Sequence, residues 1–177
     1  MISDPILKIL GEVLEREGWP TYTEHEHDRG GPTKGGITLR TLESWRQRRC
    51  TRKELKRLDE QEAIKILYRL YVETHGIYHI KDATLQEQVI DNSVHSGPAL
   101  AVKDLQRSLD VKADGIIGSI TLGAIESAAR GSAIGLSQLC SKVAITRALR
   151  LARFVQKNPD QVVFLTGWLT RVLSFIR

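Results

Sequence analysis

The composition is that of a folded, basic protein that is large enough to bury a core without cross-links. The chain has 177 residues, of which 41% are hydrophobic and 27% charged, and this balance excludes an intrinsically disordered chain. No run approaches the roughly 18 to 20 apolar residues that cross a bilayer, so stable membrane insertion is not expected. The net charge of +5 favours a polyanionic partner, which nucleic acid, an anionic cell-wall polymer or a membrane surface would each provide.

Two further features bear on the compartment in which the protein is made. Cys50 and Cys140 lie far apart and form no Cys-x-x-Cys motif, so we expect unpaired thiols and no disulfide. Lys8, Glu12 and Glu15 interrupt the apolar residues of the N-terminal segment, which leaves no apolar signal-peptide region. The sequence therefore predicts synthesis in the cytoplasm and delivery by another route if the target lies outside it.

The first predicted element is an amphipathic helix that ends next to Glu17. At about 100° per residue, five residues form one apolar stripe: Ile6, Ile9, Leu10, Val13 and Leu14. Glu17 projects onto the centre of this stripe, and Gly18 and Pro20 end the helix after it. A carboxyl that is desolvated there, at a helix C-terminus, is favoured in its neutral form, as a general acid must be. From the helix alone, the alternative is a carboxylate that turns back to water or pairs with an arginine.

A polar, glycine-rich loop or short β-hairpin is predicted over residues 21–38. Asp28 follows Glu17 by eleven residues, and Thr33 comes five residues later. Cleavage of a glycosidic bond needs one carboxyl to protonate the leaving oxygen and a second group to hold water or stabilise the oxocarbenium-like state. A glutamate facing an aspartate and a threonine across a cleft would supply these groups, and glycines let the backbone approach a sugar closely.

The same loop also allows metal chemistry. His25 and His27, among Glu24, Glu26 and Asp28, could form part of the zinc site of an amidase. Alternate residues of an extended loop point to opposite sides, and a zinc site needs a third ligand of defined geometry. We therefore expect a solvated loop and no metal, and we keep Glu24 and Glu26 as alternative second carboxylates.

The rest of the chain is predicted to be helical. Helical periodicity covers about residues 39–49 and 60–72, the second after a capping box at Asp59, and another helix starts at Thr84. Ser96-Gly97-Pro98 breaks that helix, and a turn at residues 113–119 separates the next two. The chain then closes with helices at about 135–156 and 160–175, the last of them apolar enough to pack in the core. Residues 46–57 carry a run of basic side chains that is either a solvated face or a surface for anionic polymers.

These motifs, in this order, resemble glycoside hydrolase family 108. The resemblance begins with Glu17-Gly18 and Asp28-x-Gly30-Gly31-x-Thr33-x-x-Gly36-Ile37-Thr38, and it continues through residues 41–46, 89–97, 105–118 and 167–172. It covers nearly the whole chain. The family comprises N-acetylmuramidases of lysozyme-like fold, found as phage endolysins and in prophage-like bacterial loci.

The resemblance implies one mainly helical, lysozyme-like domain over residues 1–177, with a small β-hairpin or loop lobe near the N-terminus. Residues 1–97 would form the catalytic part, and residues 98–177 would form a helical part that resembles a peptidoglycan-binding region. The implied activity is hydrolysis of the β-1,4 bond between N-acetylmuramic acid and N-acetylglucosamine, with no cofactor. Glu17 would be the general acid, with Asp28 and Thr33 as the second catalytic group.

The implied substrate contacts are Trp19, Tyr22, Gly36 and His95. The chain departs from the common family pattern near them: Trp19-Pro20 follows Glu17-Gly18 where Gly-Tyr is usual, the loop before Asp28 is about two residues longer, and His95 replaces an asparagine. These departures bear on substrate contacts and leave the acid unaffected.

The expected partner is bacterial peptidoglycan, with an anionic wall or outer-membrane surface as a further possibility, and a monomer is expected. An endolysin made in the host cytoplasm would reach periplasmic peptidoglycan after release by a holin or by dedicated export. Two alternatives stay open: a non-catalytic peptidoglycan-binding or secretion-accessory protein of the same fold, and a basic nucleic-acid-binding protein. No nucleic-acid reading module accompanies the basic run, so nucleic acid is not an expected partner. The Asp114-Gly115-x-x-Gly118 segment is either a tight turn that feeds a helix or a separate wall-binding site.

Overall fold

A computed structural model of the chain describes residues 2–24, 31–130 and 133–176, with the side chains of residues 133 and 134 left out. Within these ranges the chain forms nine α-helices and one three-stranded antiparallel sheet near the N-terminus. This confirms the predicted mainly helical fold with a small β lobe. The chain divides into two compact units, Met1–Leu70 and Tyr71–Arg177.

The first unit contains four helices and the sheet. Its elements are α1 (Asp4–Arg16), β1 (Tyr22–Thr23), β2 (Thr33–Lys34), β3 (Ile37–Thr38), α2 (Leu39–Arg46), α3 (Arg52–Lys56) and α4 (Glu60–Tyr68). The predicted apolar stripe of α1 is confirmed, because all five of its residues are buried, and α1 packs against α4. The core of this unit is therefore built on one face of its first helix.

A tight turn of two glycines shapes the sheet. The strand order is β1-β2-β3, Thr33 lies opposite Thr38, and Lys34 lies opposite Ile37. Gly35 and Gly36 connect β2 to β3 with φ values of 51° and 76°. A two-residue hairpin whose twist matches its strands needs positive φ at both positions, which glycine adopts without steric cost.

The short helix α3 was not predicted, because residues 46–57 read only as a basic run. Thr51 and Glu54 form a capping box around its first turn, in which each side chain bonds the other residue's backbone N–H. Leu55 is fully buried. A helix of five residues has too few turns to show hydrophobic periodicity. The Thr51-x-x-Glu54 capping-box pattern is the sequence feature that predicts it.

The second unit is a helical assembly around one long helix. Its elements are a 3-10 turn (Ile77–His79), α5 (Ala83–Ser96), α6 (Pro98–Ser108), α7 (Ser119–Ala129), α8 (Ala133–Lys157), a 3-10 turn (Pro159–Gln161) and α9 (Val162–Leu173). Helix α8 contacts α5, α6, α7 and α9. A π-helical turn (Arg69–Glu73) follows α4 directly and runs through the boundary between the two units.

The predicted break at Ser96-Gly97-Pro98 is confirmed, and the predicted start of α5 is corrected. Pro98 opens α6, where its missing N–H costs nothing, and Gly97 has φ of 90°. The N-cap of α5 is Asp82, whose carboxylate accepts a hydrogen bond from Leu85 N at 2.8 Å, so the helix begins before Thr84.

Buried ion pairs connect the helices of the second unit. Asp91 on α5 accepts from Arg147 Nη1 on α8 at 2.7 Å and from Arg171 Nε on α9 at 2.7 Å. Arg150, one turn further along α8, donates to Asp104 on α6 at 2.8 Å. Each pair joins two helices through charges that lie mostly out of water, so the loss of one partner would leave a costly unpaired charge.

Gln106 explains the Asp114-Gly115-x-x-Gly118 segment as a structural turn. Its side-chain oxygen accepts from Gly115 N at 2.8 Å, and its amide nitrogen donates to Asp114 Oδ1 at 2.8 Å and to Thr121 Oγ1 at 3.1 Å. Gly115 has φ of 90°, and its carbonyl oxygen lies 2.8 Å from His75 Nδ1. These bonds account for the motif through the fold alone.

The prediction that the last helix packs in the core is wrong for most of α9. Val172 is buried against Ala144 and Leu151 of α8, with Trp168 and Phe175 partly buried beside them. Val163 and Phe164, in contrast, are 74% and 53% exposed. Helix α9 packs on α8 along one face, and apolar residues on its other faces are in solvent. In the described part of the chain, no helix is both long and apolar enough to span a membrane.

Candidate active site

Glu17 lies at the end of α1 and is exposed, so the prediction that it is buried on the apolar stripe is wrong. The helix ends at Arg16, and Glu17 is its C-cap with φ of −80° and ψ of 6°. Its N–H still bonds Val13 O at 2.9 Å, but its side chain is open to solvent. The projection onto the stripe assumed helical geometry through residue 17, and that geometry stops one residue earlier.

The glycine turn of the hairpin packs against the Glu17 side chain. A Cβ atom added to Gly36 would lie 3.2 Å from Glu17 Oε2 and 3.3 Å from Glu17 Cβ. A Cβ added to Gly35 would lie 2.6 Å from Trp19 Cε3. Both glycines are needed for close approach as well as for positive φ. The structure therefore brings Glu17, Trp19 and Gly36 together at the turn of the hairpin.

Two lysines contact the aromatic side chains near this turn, and neither role was predicted from the sequence. Lys34 Nζ lies 4.7 Å from the centre of the Trp19 ring, and Lys56 Nζ lies 4.5 Å from the centre of the Tyr22 ring. Lys34 is only 8% exposed, and its ammonium donates to the carbonyl oxygens of Lys56 and Leu58 at 2.8 and 2.7 Å. These contacts attach the hairpin to the C-terminal end of α3 and to Leu58, and they place a cation near each ring.

Glu24 is a second carboxylate in the same unit. Tyr22 Oη donates to Glu24 Oε2 at 2.7 Å, and Arg52 Nε lies 2.5 Å from Glu24 Oε1. The hydrogen bond from Tyr22 lowers the pKa of Glu24 below its ordinary value, and Arg52 acts in the same direction. The pKa of Tyr22 is raised, first by desolvation and then by the adjacent Glu24. Glu24 is thus an ionised carboxylate at neutral pH.

Thr33 has a local partner for its hydroxyl, and Asp28 lies outside the described residues. Thr33 Oγ1 donates to Gly31 O at 3.1 Å, and the residue sits in β2 between Thr23 and Thr38. His25, Glu26, His27 and Gly30 also lie outside the described ranges. The catalytic roles of Thr33 and Asp28 stay predictions.

His95 belongs to the second unit, and its predicted contact with substrate stays a prediction. Its ring meets Trp168 edge-on, with ring centres 5.6 Å apart. Burial lowers the pKa of His95 below its usual value, and the charges of Arg147 and Arg171 lower it further. His95 is therefore a neutral, half-buried ring at pH 7. In the described ranges no group of three or more His, Cys, Asp or Glu side chains is placed to hold a metal ion.

The basic run of residues 46–57 is extensively paired with acids. Arg46 donates to both oxygens of Glu62 at 2.9 and 2.7 Å, and Arg48 pairs with Glu54 at 2.6 Å. Within the described residues, Lys53 and Arg57 are exposed basic side chains outside these acid pairs. Neither Cys50 nor Cys140 is in a disulfide, as the sequence predicted.

Comparison with known proteins supplies the family context. Residues 10–97 match the family model described as Glycosyl hydrolase 108, and residues 100–173 match the model described as Predicted Peptidoglycan domain. The solved structure of Brucella abortus SagA superposes with a TM-score of 0.68 at 30% sequence identity, covering 97% of this chain and 95% of that chain. A comparison with curated proteins gives no match. The two matched segments meet where α5 ends and α6 begins, whereas the compact units divide after Leu70.

Proposed function

The chain belongs to the glycosyl hydrolase 108 family, and from this premise we propose that it is a muramidase with Glu17 as its general acid. It is a glycoside hydrolase that acts on peptidoglycan. The proposed reaction is hydrolysis of the β-1,4 bond between N-acetylmuramic acid and N-acetylglucosamine. The observation that carries the proposal is the contact between the Glu17 carboxyl and the Gly36 turn.

The position of Glu17 suits a proton donor to a bound glycan. The carboxyl is reachable from solvent, and the adjacent turn has no side chain at Gly36 to obstruct a sugar ring. A glycan bound over Glu17 would place its glycosidic oxygen beside the carboxyl and exclude water from between them. Protonation of the glycosidic oxygen by such an acid is the first requirement of the reaction.

The aromatic side chains beside Glu17 suit recognition of the sugar. The Trp19 and Tyr22 rings each carry a lysine ammonium near the ring. Aromatic rings offer large apolar faces, and the ammonium groups add hydrogen-bond donors beside them. We assign these rings to the binding of sugar units next to the scissile bond.

Product analysis tests the reaction directly. The full chain is incubated with purified sacculi, and the soluble products are reduced with borohydride and analysed by mass spectrometry. A muramidase gives reduced N-acetylmuramic acid at the new ends, because the bond breaks on its C1 side. Reduced N-acetylglucosamine ends would show that the other glycosidic bond is cut, and 1,6-anhydro ends would show a reaction other than hydrolysis. Binding without any product would favour the non-catalytic alternative.

Glu17→Gln tests the acid. The amide keeps the shape of the side chain but has no proton to donate, so turnover should fall by about a hundredfold or more. Glu15→Gln is the matched control, since Glu15 is an exposed glutamate on the same helix and should retain full activity. Release of soluble fragments from sacculi and thermal unfolding are measured for both. A folded Glu17→Gln protein with normal turnover would remove Glu17 from the mechanism.

The second catalytic group is tested by two amide substitutions. Asp28→Asn should lower turnover more than binding to sacculi, because its proposed task lies in the transition state. Glu24→Gln measures the alternative, since Glu24 is ionised and bonded to Tyr22. If Glu24→Gln lost turnover while Asp28→Asn stayed active, Glu24 would be the second catalytic group.

A further inference from the structure

The C-terminal end of α8 and the N-terminal half of α9 carry a group of apolar side chains at the surface, here named the apolar tip. It consists of the exposed Phe154, Val162, Val163 and Phe164 and of the partly buried Trp168 between them. The Phe164 ring stacks on Trp168 with ring centres 5.9 Å apart, and Phe154 lies 6.2 Å from Trp168. The aromatic members are therefore contiguous.

Four side chains of the apolar tip are largely exposed, and they lie together on the surface. Val163 is 74% exposed, Val162 56%, Phe164 53% and Phe154 44%. Soluble proteins rarely expose contiguous apolar groups of this kind unless the surface binds a partner. Trp168 packs partly against the core at Val172, whereas Val162, Val163, Phe164 and Phe154 are exposed and are not part of that core.

Charge identifies the kind of partner. Residues 145–177 contain six arginines and lysines and one aspartate, whereas residues 1–144 contain twenty charges of each sign. Arg147, Arg150 and Arg171 are paired with Asp91 and Asp104, so in the described part of this segment Arg153 and Lys157 are the exposed cations, beside the exposed Asp160. Arg153 and Lys157 are exposed and lie on the two sides of Phe154 along α8. A surface that is both apolar and cationic complements an anionic lipid interface.

We propose that the apolar tip binds the surface of an anionic phospholipid membrane. Phe164 and Val163 would enter the boundary between head groups and acyl chains, and Trp168 would lie at head-group level, where indole rings are favoured. Arg153 and Lys157 would contact lipid phosphates. The interaction is peripheral and reversible, and it does not depend on the proposed activity of Glu17.

Vesicle sedimentation with the full chain tests this binding. The protein is mixed with vesicles of phosphatidylglycerol or of phosphatidylcholine, and the bound fraction is measured at low and high salt. Wild-type protein should bind phosphatidylglycerol vesicles and release as salt rises. Val163→Glu/Phe164→Glu should lower the partition coefficient by about tenfold or more, because two inserted side chains become charged. Glu17→Gln should bind as wild type does.

Two controls make the result specific. Ile120→Glu alters an apolar side chain of matched exposure, 73%, on α7 outside the tip, and it should bind vesicles normally. Arg153→Gln/Lys157→Gln should weaken binding to phosphatidylglycerol vesicles and leave binding to phosphatidylcholine vesicles unchanged. If Val163→Glu/Phe164→Glu fails to fold, normal binding of this variant to phosphatidylglycerol would overturn the proposal. Equal losses in the Ile120→Glu control would overturn the proposal. Absence of vesicle binding would also overturn it. If sedimentation equilibrium then showed a wild-type dimer that Val163→Glu/Phe164→Glu converts to a monomer, the apolar tip would be an interface between two copies of the chain.

Discussion

At the scale of single residues, Gly36 is the glycine whose missing side chain leaves room for the candidate acid. Its φ is 76°, and a methyl group there would press on the Glu17 carboxyl from 3.2 Å. Gly31 has nearly the same φ, 70°, but an added Cβ would meet nothing within 4 Å. Both glycines have positive φ, but only a side chain at Gly36 would contact Glu17.

This difference gives a matched pair of substitutions. Gly36→Ala and Gly31→Ala should each destabilise the fold by about 1 kcal/mol, because alanine is strained at positive φ. Gly36→Ala alone should also reduce turnover on sacculi, since the carboxyl must shift. Thermal unfolding and initial rates are the measurements. Equal turnover in the two variants would mean that the turn leaves the position of the acid unaffected.

Residue-scale prediction from the sequence failed where it depended on distant backbone or on the point at which a helix stops. The burial of Lys34 depends on the carbonyl oxygens of residues 56 and 58, more than twenty positions away, and no local pattern reports them. The exposure of Glu17 follows from the end of α1 at Arg16. The apolar stripe of α1, in contrast, is local and periodic, and it was predicted in full.

At the scale of elements, the buried carboxylate of Asp91 joins α5, α8 and α9. Burial alone would raise the pKa of Asp91, but hydrogen bonds from Arg171 and Arg147 outweigh it and lower the pKa below 3.8. Arg147 is 1% exposed, so its charge depends on Asp91 for compensation. The three helices are therefore coupled through a single side chain.

Asp91→Asn should destabilise the protein by about 3–5 kcal/mol at neutral pH, the cost of leaving Arg147 buried without its counter-charge. Because the folded pKa of Asp91 is lowered, its contribution is complete above pH 3.8 and is lost as pH falls through the lower folded value. The gap between wild type and variant should thus narrow only below about pH 4. Asp110→Asn, which alters an exposed pair with Lys142, should change stability little. Urea unfolding at several pH values measures both, and a gap that widens in acid would contradict the assignment.

Element-scale prediction succeeded for long helices and strong punctuation. The final two helices and the break at Gly97-Pro98 were predicted because proline and glycine leave clear signals. The packing of α9 was not, because an apolar helix in sequence gives no information about how many neighbours will cover it. The apolar residues assigned to a core are in part the exposed tip.

At the scale of the whole molecule, the boundary between the two units lies within helical backbone. Helix α4 passes directly into the π-helical turn Arg69–Glu73, and Val72 in that turn is fully buried. Domain boundaries commonly fall in irregular linkers, whereas this boundary falls in helical backbone, between the exposed Leu70 and the buried Val72.

A protease needs a locally unfolded, accessible stretch of chain, and the turn Arg69–Glu73 offers none while Val72 stays buried. Limited proteolysis of the folded protein should therefore produce no cut between Leu70 and Tyr71 until the whole chain unfolds, as expected for one domain over residues 1–177. N-terminal sequencing and mass spectrometry of the fragments would show this, with heat-unfolded protein as the control for cleavable sites. Two resistant fragments with the bounds of the compact units would instead mean that each unit stays folded without the other. The halves of this enzyme could then be separated, exchanged and recombined as independent modules.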